Sequence, residues 1–483
     1  MVMNQFVVIM AYIVFVMVLG IVLNRIRKDK ADTKNFFVAG GGLGALALLP
    51  LLFGELIAGA STTGTATGGM TAGLSGLYAV WGNCLGCFLV AFVLVKFFSM
   101  AGRHNGAMSA PEAISIRLGN KARYVVAAVQ LITGFIVFAL QIKAAAVLLS
   151  PMIGIEADVL SWFIGALFFA MALLGLKGVS DMNVIHSILL FFGLLVVCVI
   201  CVNHVGGLGV IATELPSEYY NFAAPGWETM VASLAGGILS FSVSAAPSNL
   251  SFSSKNVKVA KHVLIIGGAC GVLFGFFPLL IGMSGAIAMP DAAAASILYL
   301  MPQSISPWLA TLATMAVIAA IFSSGPFFLL YFSAVITQDF LTPIFKITDE
   351  KKRLLYSRIA AALFAFFGIV ICNALGSILA SLLGAFQIQS CITIGLIIAL
   401  FWKRATDNAC TYGILFSGLL AAVWFFVGNP FGVQPLWPAL ALEILIIGIW
   451  SLVANKKPIS DDFQAYLDWK KEAQATLPEL DKK

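Results

Sequence analysis

Residues 315–340 read MAVIAAIFSSGPFFLLYFSAVITQDF, an apolar stretch that carries two adjacent hydroxyls, Ser323 and Ser324, before a Gly-Pro pair. In a bilayer every backbone group needs a partner, and Pro326 removes the N–H that would bond the carbonyl of Phe322. Two hydroxyls beside a loosened turn in a membrane helix indicate a site for a cation. The alternative is a kinked helix whose serines bond back to carbonyls of the preceding turn.

The composition around this stretch is that of a polytopic helical membrane protein. Of the 483 residues, 60% are hydrophobic and 10% are charged, and the mean hydropathy is +1.00. No soluble core needs that much apolar surface. The eight cysteines lie in or at the ends of apolar runs, and we interpret them as apolar filler. The four scattered histidines, with no carboxylate pair beside them, argue against an enzyme.

About thirteen apolar runs are long enough to cross roughly 30 Å of hydrocarbon. We therefore expect a multi-pass protein of the cell membrane, in contact with lipid. The predicted spans are 3–24, 42–71, 74–98, 122–150, 156–177, 183–203, 228–252, 262–287, 307–340, 355–376, 379–402, 408–428 and 437–455.

The basic residues fall on one side of these spans. All but one of the 28 Lys and Arg residues lie at span ends that face the same side, and the opposite side carries acidic residues only. By the positive-inside rule the basic side is cytoplasmic, which puts the N-terminus outside and the C-terminus inside. The net charge of +6 thus reflects membrane orientation, and we predict no nucleic-acid partner.

Three ionisable side chains lie inside predicted spans, where charge is costly and usually marks a pathway or an internal ion pair. They are Lys143 in the fourth span, Glu55 in the second and Glu443 in the last. Glu443 lies toward the outer end of its helix and is expected to reach the interface. Glu55 and Lys143 either pair with each other or contact a substrate, Lys143 through a carboxylate and Glu55 through an amine or a coupling proton.

Two predicted spans carry the composition of interrupted helices. Residues 50–73, PLLFGELIAGASTTGTATGGMTAG, alternate glycine with hydroxyls, and residues 233–249, SLAGGILSFSVSAAPSN, follow five spans later. Helix propensity is weak in both, so a break costs little. Interrupted helices at matching positions in two halves are typical of an inverted-repeat transporter with its site at the midplane. The alternative is close packing of helices through small residues.

The chain resembles the sodium:solute symporter family over most of its length. The motifs that carry the resemblance are TAGLSGLYAVWG at 71–82, NGAMSAPEAISIRLGNKAR at 105–123, AAIFSS at 319–324 with ITQD at 336–339, and FWKRAT at 401–406. The resemblance implies a LeuT-like core of two inverted five-helix repeats with extra helices at both ends. The implied parts are 1–41 (extra first helix and basic cytoplasmic loop), 42–203 (first repeat), 204–227 (extracellular loop), 228–404 (second repeat), 405–455 (two extra helices) and 456–483 (cytoplasmic tail).

The family's sodium site lies between the first and eighth core helices. When this site is transferred to the matching positions of the present sequence, the resemblance implies a sodium ion bound by the carbonyls of Gly54, Ile57 and Ala320 and the hydroxyls of Ser323 and Ser324. The implied substrate contacts are Glu55, Ser61, Lys143, Ser242 and Gln387.

We therefore predict a secondary active transporter that takes up a small polar metabolite, such as an organic acid or an amino acid, with Na⁺ as the coupling ion. It would work by alternating access and without covalent chemistry. A proton-coupled carrier that uses Glu55 and a transporter-like sensor are the alternatives. The oligomeric state is not predicted.

Overall fold

The described part of the chain is built from α-helices. A computed structural model describes residues 2–27 and 42–454, together with 464, 467 and 468. The predicted basic segment at 28–41 and nearly all of the predicted tail lie outside these residues. The helices are α1 (Val2–Arg27), α2 (Ala45–Leu56), α3 (Gly59–Ala72), α4 (Tyr78–Leu89), α5 (Val95–His104), α6 (Ala110–Leu118), α7 (Asn120–Ile153), α8 (Ala157–Ala172), α9 (Gly175–His204), α10 (Leu208–Glu214), α11 (Trp227–Ser242), α12 (Ala245–Ser253), α13 (Val257–Phe274), α14 (Phe276–Ala288), α15 (Ile297–Ile305), α16 (Pro307–Ala334), α17 (Thr342–Phe345), α18 (Glu350–Ala374), α19 (Ile378–Phe401), α20 (Asp407–Phe426) and α21 (Leu436–Val453).

Among the described residues, ten helical segments are long and apolar enough to cross a membrane. Three shorter apolar helices accompany them, at Val7–Val22, Ala45–Leu56 and Ala157–Ala172. Every predicted span overlaps one or two of these segments, and Gly59–His104 is shared by the second and third predicted spans. The protein is thus an all-α polytopic membrane protein, and the expected number of spans agrees with the described helices.

The second predicted span is interrupted between α2 and α3. Ile57 and Ala58 leave the helical conformation, with φ/ψ of −118°/39° and −54°/155°. The interruption frees carbonyls, which two hydroxyls of the next turn then satisfy. Ser61 Oγ donates to the Ala58 carbonyl at 2.9 Å, and Thr62 Oγ1 donates to the Ile57 carbonyl at 3.0 Å. The Ser and Thr residues of this segment therefore stabilise the break that its glycines permit.

The second predicted interruption lies between α11 and α12. Here the freed carbonyls are satisfied by amides of other helices. Gln130 Nε2 on α7 donates to the Val243 carbonyl at 2.6 Å, and Gln389 Nε2 on α19 donates to the Ser240 carbonyl at 3.1 Å. Both interruptions predicted from the sequence are thus present.

The ten core helices form two halves of five, and packing contacts between the halves recur when each helix is replaced by the equivalent helix of the other half. Counting α2/α3 as the first core helix, α4/α5, α7, α8 and α9 complete the first half, and α11/α12, α13/α14, α16, α18 and α19 form the second. α3 lies along α14, and α11 lies along α4; α9 lies along α16, and α19 lies along α7. Each of these four contacts therefore has a counterpart with the two halves exchanged, as expected for inverted repeats.

Two of these helix crossings depend on glycine. Gly82 of α4 and Gly237 of α11 face each other, and a Cβ added to Gly237 would lie 2.7 Å from the Cα of Gly82. In the counterpart crossing, a Cβ on Gly282 of α14 would lie 2.1 Å from the carbonyl oxygen of Ala66 on α3. Backbones touch directly at both places, which is how small residues favour helix association in membranes.

α16 differs from the expectation of a loosened turn at Pro326. The helix continues through Pro326 to Ala334 and widens only afterwards, in a π-helical segment at Val335–Leu341. One missing N–H removes one hydrogen bond, and α16 is buried along almost its whole length. Packing therefore holds the helix together across the proline.

Three of the motifs that carry the family resemblance meet at one end of the core. Arg123 bonds Asp339 of the ITQD motif at 2.6 Å and Glu112 at 3.1 Å. Arg117 bonds Asp407, the residue directly after FWKRAT, at 2.5 Å. Since Asp339 is completely buried, its pairing with Arg123 compensates the cost of burying the carboxylate. These motif residues thus connect the ends of α6, α7, α16 and α20.

The glycine crossings predict that Gly282→Ala destabilises the protein although it adds a single methyl group. The new Cβ would overlap the carbonyl of Ala66 and force α3 and α14 apart, at a cost of about 1–3 kcal/mol. Thermal unfolding of the purified protein should show a lower Tm. Gly448→Ala on α21 is the matched control, because nothing lies within 4 Å of its Cβ position. Equal Tm values for the two variants would contradict this account of the crossing.

Candidate functional site

A cavity lies between the two helix interruptions. Its walls come from α2, α3, α4, α7, α11, α12, α16 and α19. The polar lining residues are Glu55, Ser61, Asn83, Gln130, Gln141, Ser240, Ser244, Tyr331 and Gln389, and the aromatic ones besides Tyr331 are Phe241, Phe328, Phe332 and Phe386.

Glu55 connects the two interruptions. It lies in the last turn of α2, and one of its carboxylate oxygens accepts a hydrogen bond from the backbone N–H of Ala246, in the first turn of α12. The first N–H groups of a helix lack intrahelical partners and carry partial positive charge, so they favour a carboxylate. Glu55 is only 6% exposed, and this bond offsets part of the cost of its burial.

The start of α3 has the same arrangement. The backbone N–H of Ala60 donates to Gln141 Oε1 on α7 at 3.0 Å. Each half-helix that begins at an interruption therefore has one free N–H satisfied by a side chain from another helix. Ser61, a predicted substrate contact, follows directly and lines the cavity with Glu55.

Lys143 lies away from this cavity. Its Nζ donates to the carbonyls of Leu375 and Gly376, the second at 2.9 Å, just past the end of α18. The last carbonyls of a helix lack partners and favour a cation, which accounts for this position. Among the described contacts Lys143 and Glu55 do not pair, so the structure does not bring these two predicted site residues together.

Ser242 and Gln387 are also absent from the described cavity walls. Ser242 Oγ donates to the Ile238 carbonyl within α11 at 2.8 Å. Gln387 Nε2 donates to Gln434 at 3.1 Å, whereas Gln389, two residues later, lines the cavity. Two residues rotate by about 200° around an α-helix, so these neighbours lie on opposite faces.

The sequence reasoning missed the polar face of α7. Gln130 and Gln141 both line the cavity, and the hydroxyl of Tyr331 donates to Gln130 Oε1 at 3.3 Å. The available signal was the presence of uncharged amides inside an apolar span. Their separation of about three turns places both on one face of the helix.

The five predicted sodium ligands lie where α2 passes α16. Ile57 is the first residue of the interruption, and a Cβ on Gly54 would lie 3.3 Å from Ser323 Oγ, so α2 contacts the serine directly. Ser323 and Ser324 both donate to the Ala320 carbonyl, at 2.8 and 2.9 Å. These are the bonds that the kinked-helix alternative predicts, and they leave the hydroxyl lone pairs available to a cation.

Asn183 of α9 adds an unpredicted group to this junction. Its Nδ2 donates to the Ser323 carbonyl at 3.2 Å, and its buried Oδ1 has no hydrogen-bond partner within the described structure. Gly54 lies against the same amide, since its Cβ position is 3.1 Å from Asn183 Nδ2. Neutral oxygens at a junction of three helices are ligands that a hard cation prefers.

Glu443 differs from the expectation that it reaches the interface. It is fully buried between α19, α20 and α21. A Cβ on Gly395 would lie 3.0 Å from its carboxyl oxygen, and one on Gly413 would lie 3.5 Å from its Cγ. Glycines on the two facing helices thus make room for this carboxyl inside the bundle.

Known proteins share this architecture. The model of the sodium:solute symporter family matches residues 36–236. The high-affinity proline transporter PutP of Bacillus subtilis strain 168 is 21% identical over 423 residues, which cover 82% of this chain and 88% of that protein.

Solved structures extend the likeness to nearly the whole chain. A Na⁺-coupled sialic acid symporter in a substrate-bound, outward-open state superposes with a TM-score of 0.78 at 18% identity, covering 94% of this chain and 99% of its own. Mhp1, a nucleobase-cation-symport-1 family transporter in a closed conformation, gives 0.58 at 15% identity, with 90% and 98% covered. The fold is therefore LeuT-like.

Proposed function

We propose that the protein is a secondary active transporter that couples the entry of Na⁺ to the symport of a small solute. The match of residues 36–236 to the model of the sodium:solute symporter family supports sodium coupling, and the similar proteins described above are transporters. The observation that carries the proposal is the direct contact between Gly54, beside the interruption of α2, and Ser323 of α16. It places backbone and hydroxyl oxygens of the first and eighth core helices at one buried point.

In this proposal sodium is bound by the carbonyls of Gly54, Ile57 and Ala320 and the hydroxyls of Ser323 and Ser324. The solute binds in the cavity, against Glu55 and Ser61. Gly54 and Glu55 are neighbours in the last turn of α2, so the same turn belongs to both sites. An ion that fixes this turn against α16 favours the shape of the cavity that binds solute, and the solute strengthens ion binding by the same factor.

The direction of transport follows from the sodium gradient, which carries the solute into the cell. The charge distribution gives the orientation, with the basic side in the cytoplasm and the N-terminus outside. The two repeats then alternate in opening the cavity to either side.

The proposed sodium site predicts that the double variant Ser323→Ala, Ser324→Ala needs more sodium for half-maximal stabilisation, by at least about tenfold. The reason is that two oxygen ligands are lost. A ligand that binds the native state raises its Tm, so the sodium dependence of the Tm, measured against potassium at equal ionic strength, reports binding before the solute is known. Ser333→Ala is the matched control. Ser333 is buried on the same helix and donates to the Leu330 carbonyl at 2.7 Å, and its loss should leave the sodium dependence unchanged.

An unchanged sodium dependence in the double variant would exclude these two serines as ligands. Equal stabilisation by sodium and potassium would argue against a sodium site altogether. Once the solute is known, its uptake into proteoliposomes can be measured with a proton gradient in the absence of sodium. Equal uptake under these conditions would indicate proton coupling through Glu55.

A further inference from the structure

The hydrogen-bond donors at the two half-helix N-termini of the cavity are already engaged. The N–H of Ala246 donates to Glu55, and the N–H of Ala60 donates to Gln141 Oε1 at 3.0 Å. Helix N-termini at the membrane midplane are the places where an anionic group of a substrate binds most favourably. A carboxylate substrate would have to displace a side chain of the protein from either one.

Some side-chain donors of the walls are engaged as well, namely one N–H of Gln130, one N–H of Gln389 and the hydroxyl of Tyr331. Gln130 Nε2 donates to the Val243 carbonyl at 2.6 Å, and Gln389 Nε2 donates to the Ser240 carbonyl at 3.1 Å. The Tyr331 hydroxyl donates to Gln130 Oε1 at 3.3 Å. These bonds satisfy the end of α11, where the helix is interrupted, so withdrawing them for a ligand would leave buried carbonyls unpaired at a cost.

The walls also carry open acceptors. Ser61 and Ser244 each donate to a nearby carbonyl at 2.9 Å, which leaves their oxygen lone pairs. Asn83 Oδ1 is buried and has no partner in the described part of the chain. Glu55 adds a carboxyl group with several acceptor positions. The donors that remain are uncharged: the amide nitrogens of Asn83 and Gln141, the second N–H of Gln130 and of Gln389, and the hydroxyl of Ser240.

Glu55 is the one acidic residue among the described residues that line the cavity, and no Lys, Arg or His is among them. The aromatic side chains Phe241, Phe328 and Phe332 form much of the apolar wall, and aromatic faces attract cations. A buried carboxylate without a basic neighbour is stabilised by a positively charged ligand.

We propose that the cavity takes a small organic cation, an ammonium or amidinium compound, whose charged nitrogen lies beside Glu55 and whose carbon body packs on the aromatic wall. This narrows the class predicted from the sequence, which included organic acids and amino acids. The inference rests on the proposed function in taking this cavity as the transport site. It does not depend on the sodium ligands, which have their own test.

Glu55→Gln separates the charge of Glu55 from its structural bond. The amide keeps an oxygen acceptor for the N–H of Ala246, so the Tm of the ligand-free protein should stay within a few degrees of the wild type. Glu55→Leu leaves that N–H unpaired and should lower the Tm more. If Glu55→Gln is as unstable as Glu55→Leu, the carboxylate is needed to hold α12, which would overturn its assignment as the group that binds the ligand.

Two sets of matched solutes test the charge preference on the purified full-length protein in sodium buffer. Choline, 3,3-dimethyl-1-butanol and 3,3-dimethylbutanoate share a branched body and are cationic, neutral and anionic, respectively. Butylammonium, butanol and butanoate form the corresponding linear set. Binding is measured by the rise in Tm and by calorimetry. At least one cation should bind about tenfold or more tightly than its neutral and anionic partners. Glu55→Gln should weaken that binding by about ten- to a hundredfold, because the attraction between the carboxylate and the cationic nitrogen is lost.

Glu156→Gln, at an exposed position before α8, is the matched control and should keep the wild-type affinity. The proposal is overturned if neither cation binds, if a neutral or anionic partner binds as tightly, or if Glu55→Gln leaves the affinity for the cation unchanged. Cation binding that is lost in Glu55→Gln but is indifferent to sodium would support the proposal and contradict sodium coupling. The two proposals therefore fail in different ways.

Discussion

An interrupted helix inside a membrane exposes backbone groups that lipid cannot satisfy, and the core of this protein is arranged around two such interruptions. At the first, hydroxyls of the following turn take the freed carbonyls. At the second, Gln130 and Gln389 reach across from other helices. The free N–H groups that begin each second half are taken by Gln141 and Glu55. Six helices, α2, α3, α7, α11, α12 and α19, are thus connected by bonds that satisfy these backbone groups.

This requirement also fixes where the two proposed sites lie. The helix end that presents Glu55 to the cavity presents Gly54 to α16, and the absence of a Cβ at Gly54 allows the close contact with Ser323. A shift of this short turn would therefore change the ion site and the solute site together. A continuous helix would spread such a shift over several turns, because its hydrogen bonds resist local bending. Interruption thus concentrates the coupling between the two ligands in a few residues.

The features that could be predicted from the sequence are those that a segment determines by itself. Hydropathy located the spans, and glycine with hydroxyl residues located both interruptions, because backbone conformation there depends on local propensity. The misses depend on neighbours. Packing keeps α16 helical across Pro326. Lys143 donates to a carbonyl just past the end of α18. Asn183 comes to the proposed ion site because α9 passes Ser323. Gln387 and Gln389 show most clearly what sequence alone leaves open. They are the same residue type two positions apart on α19 and differ in the face of the helix on which they lie.

The same distinction separates the two proposed sites. Three of the five proposed sodium ligands are backbone carbonyls, and backbone positions survive sequence change as long as the fold does. The proposed solute site is made of side chains, and Glu55 has two roles in it. Its carboxyl group accepts a hydrogen bond from the first turn of α12, and it is the one acidic group in a cavity that no Lys, Arg or His lines among the described residues. In the proposal, the positive charge that completes its environment therefore arrives with the ligand.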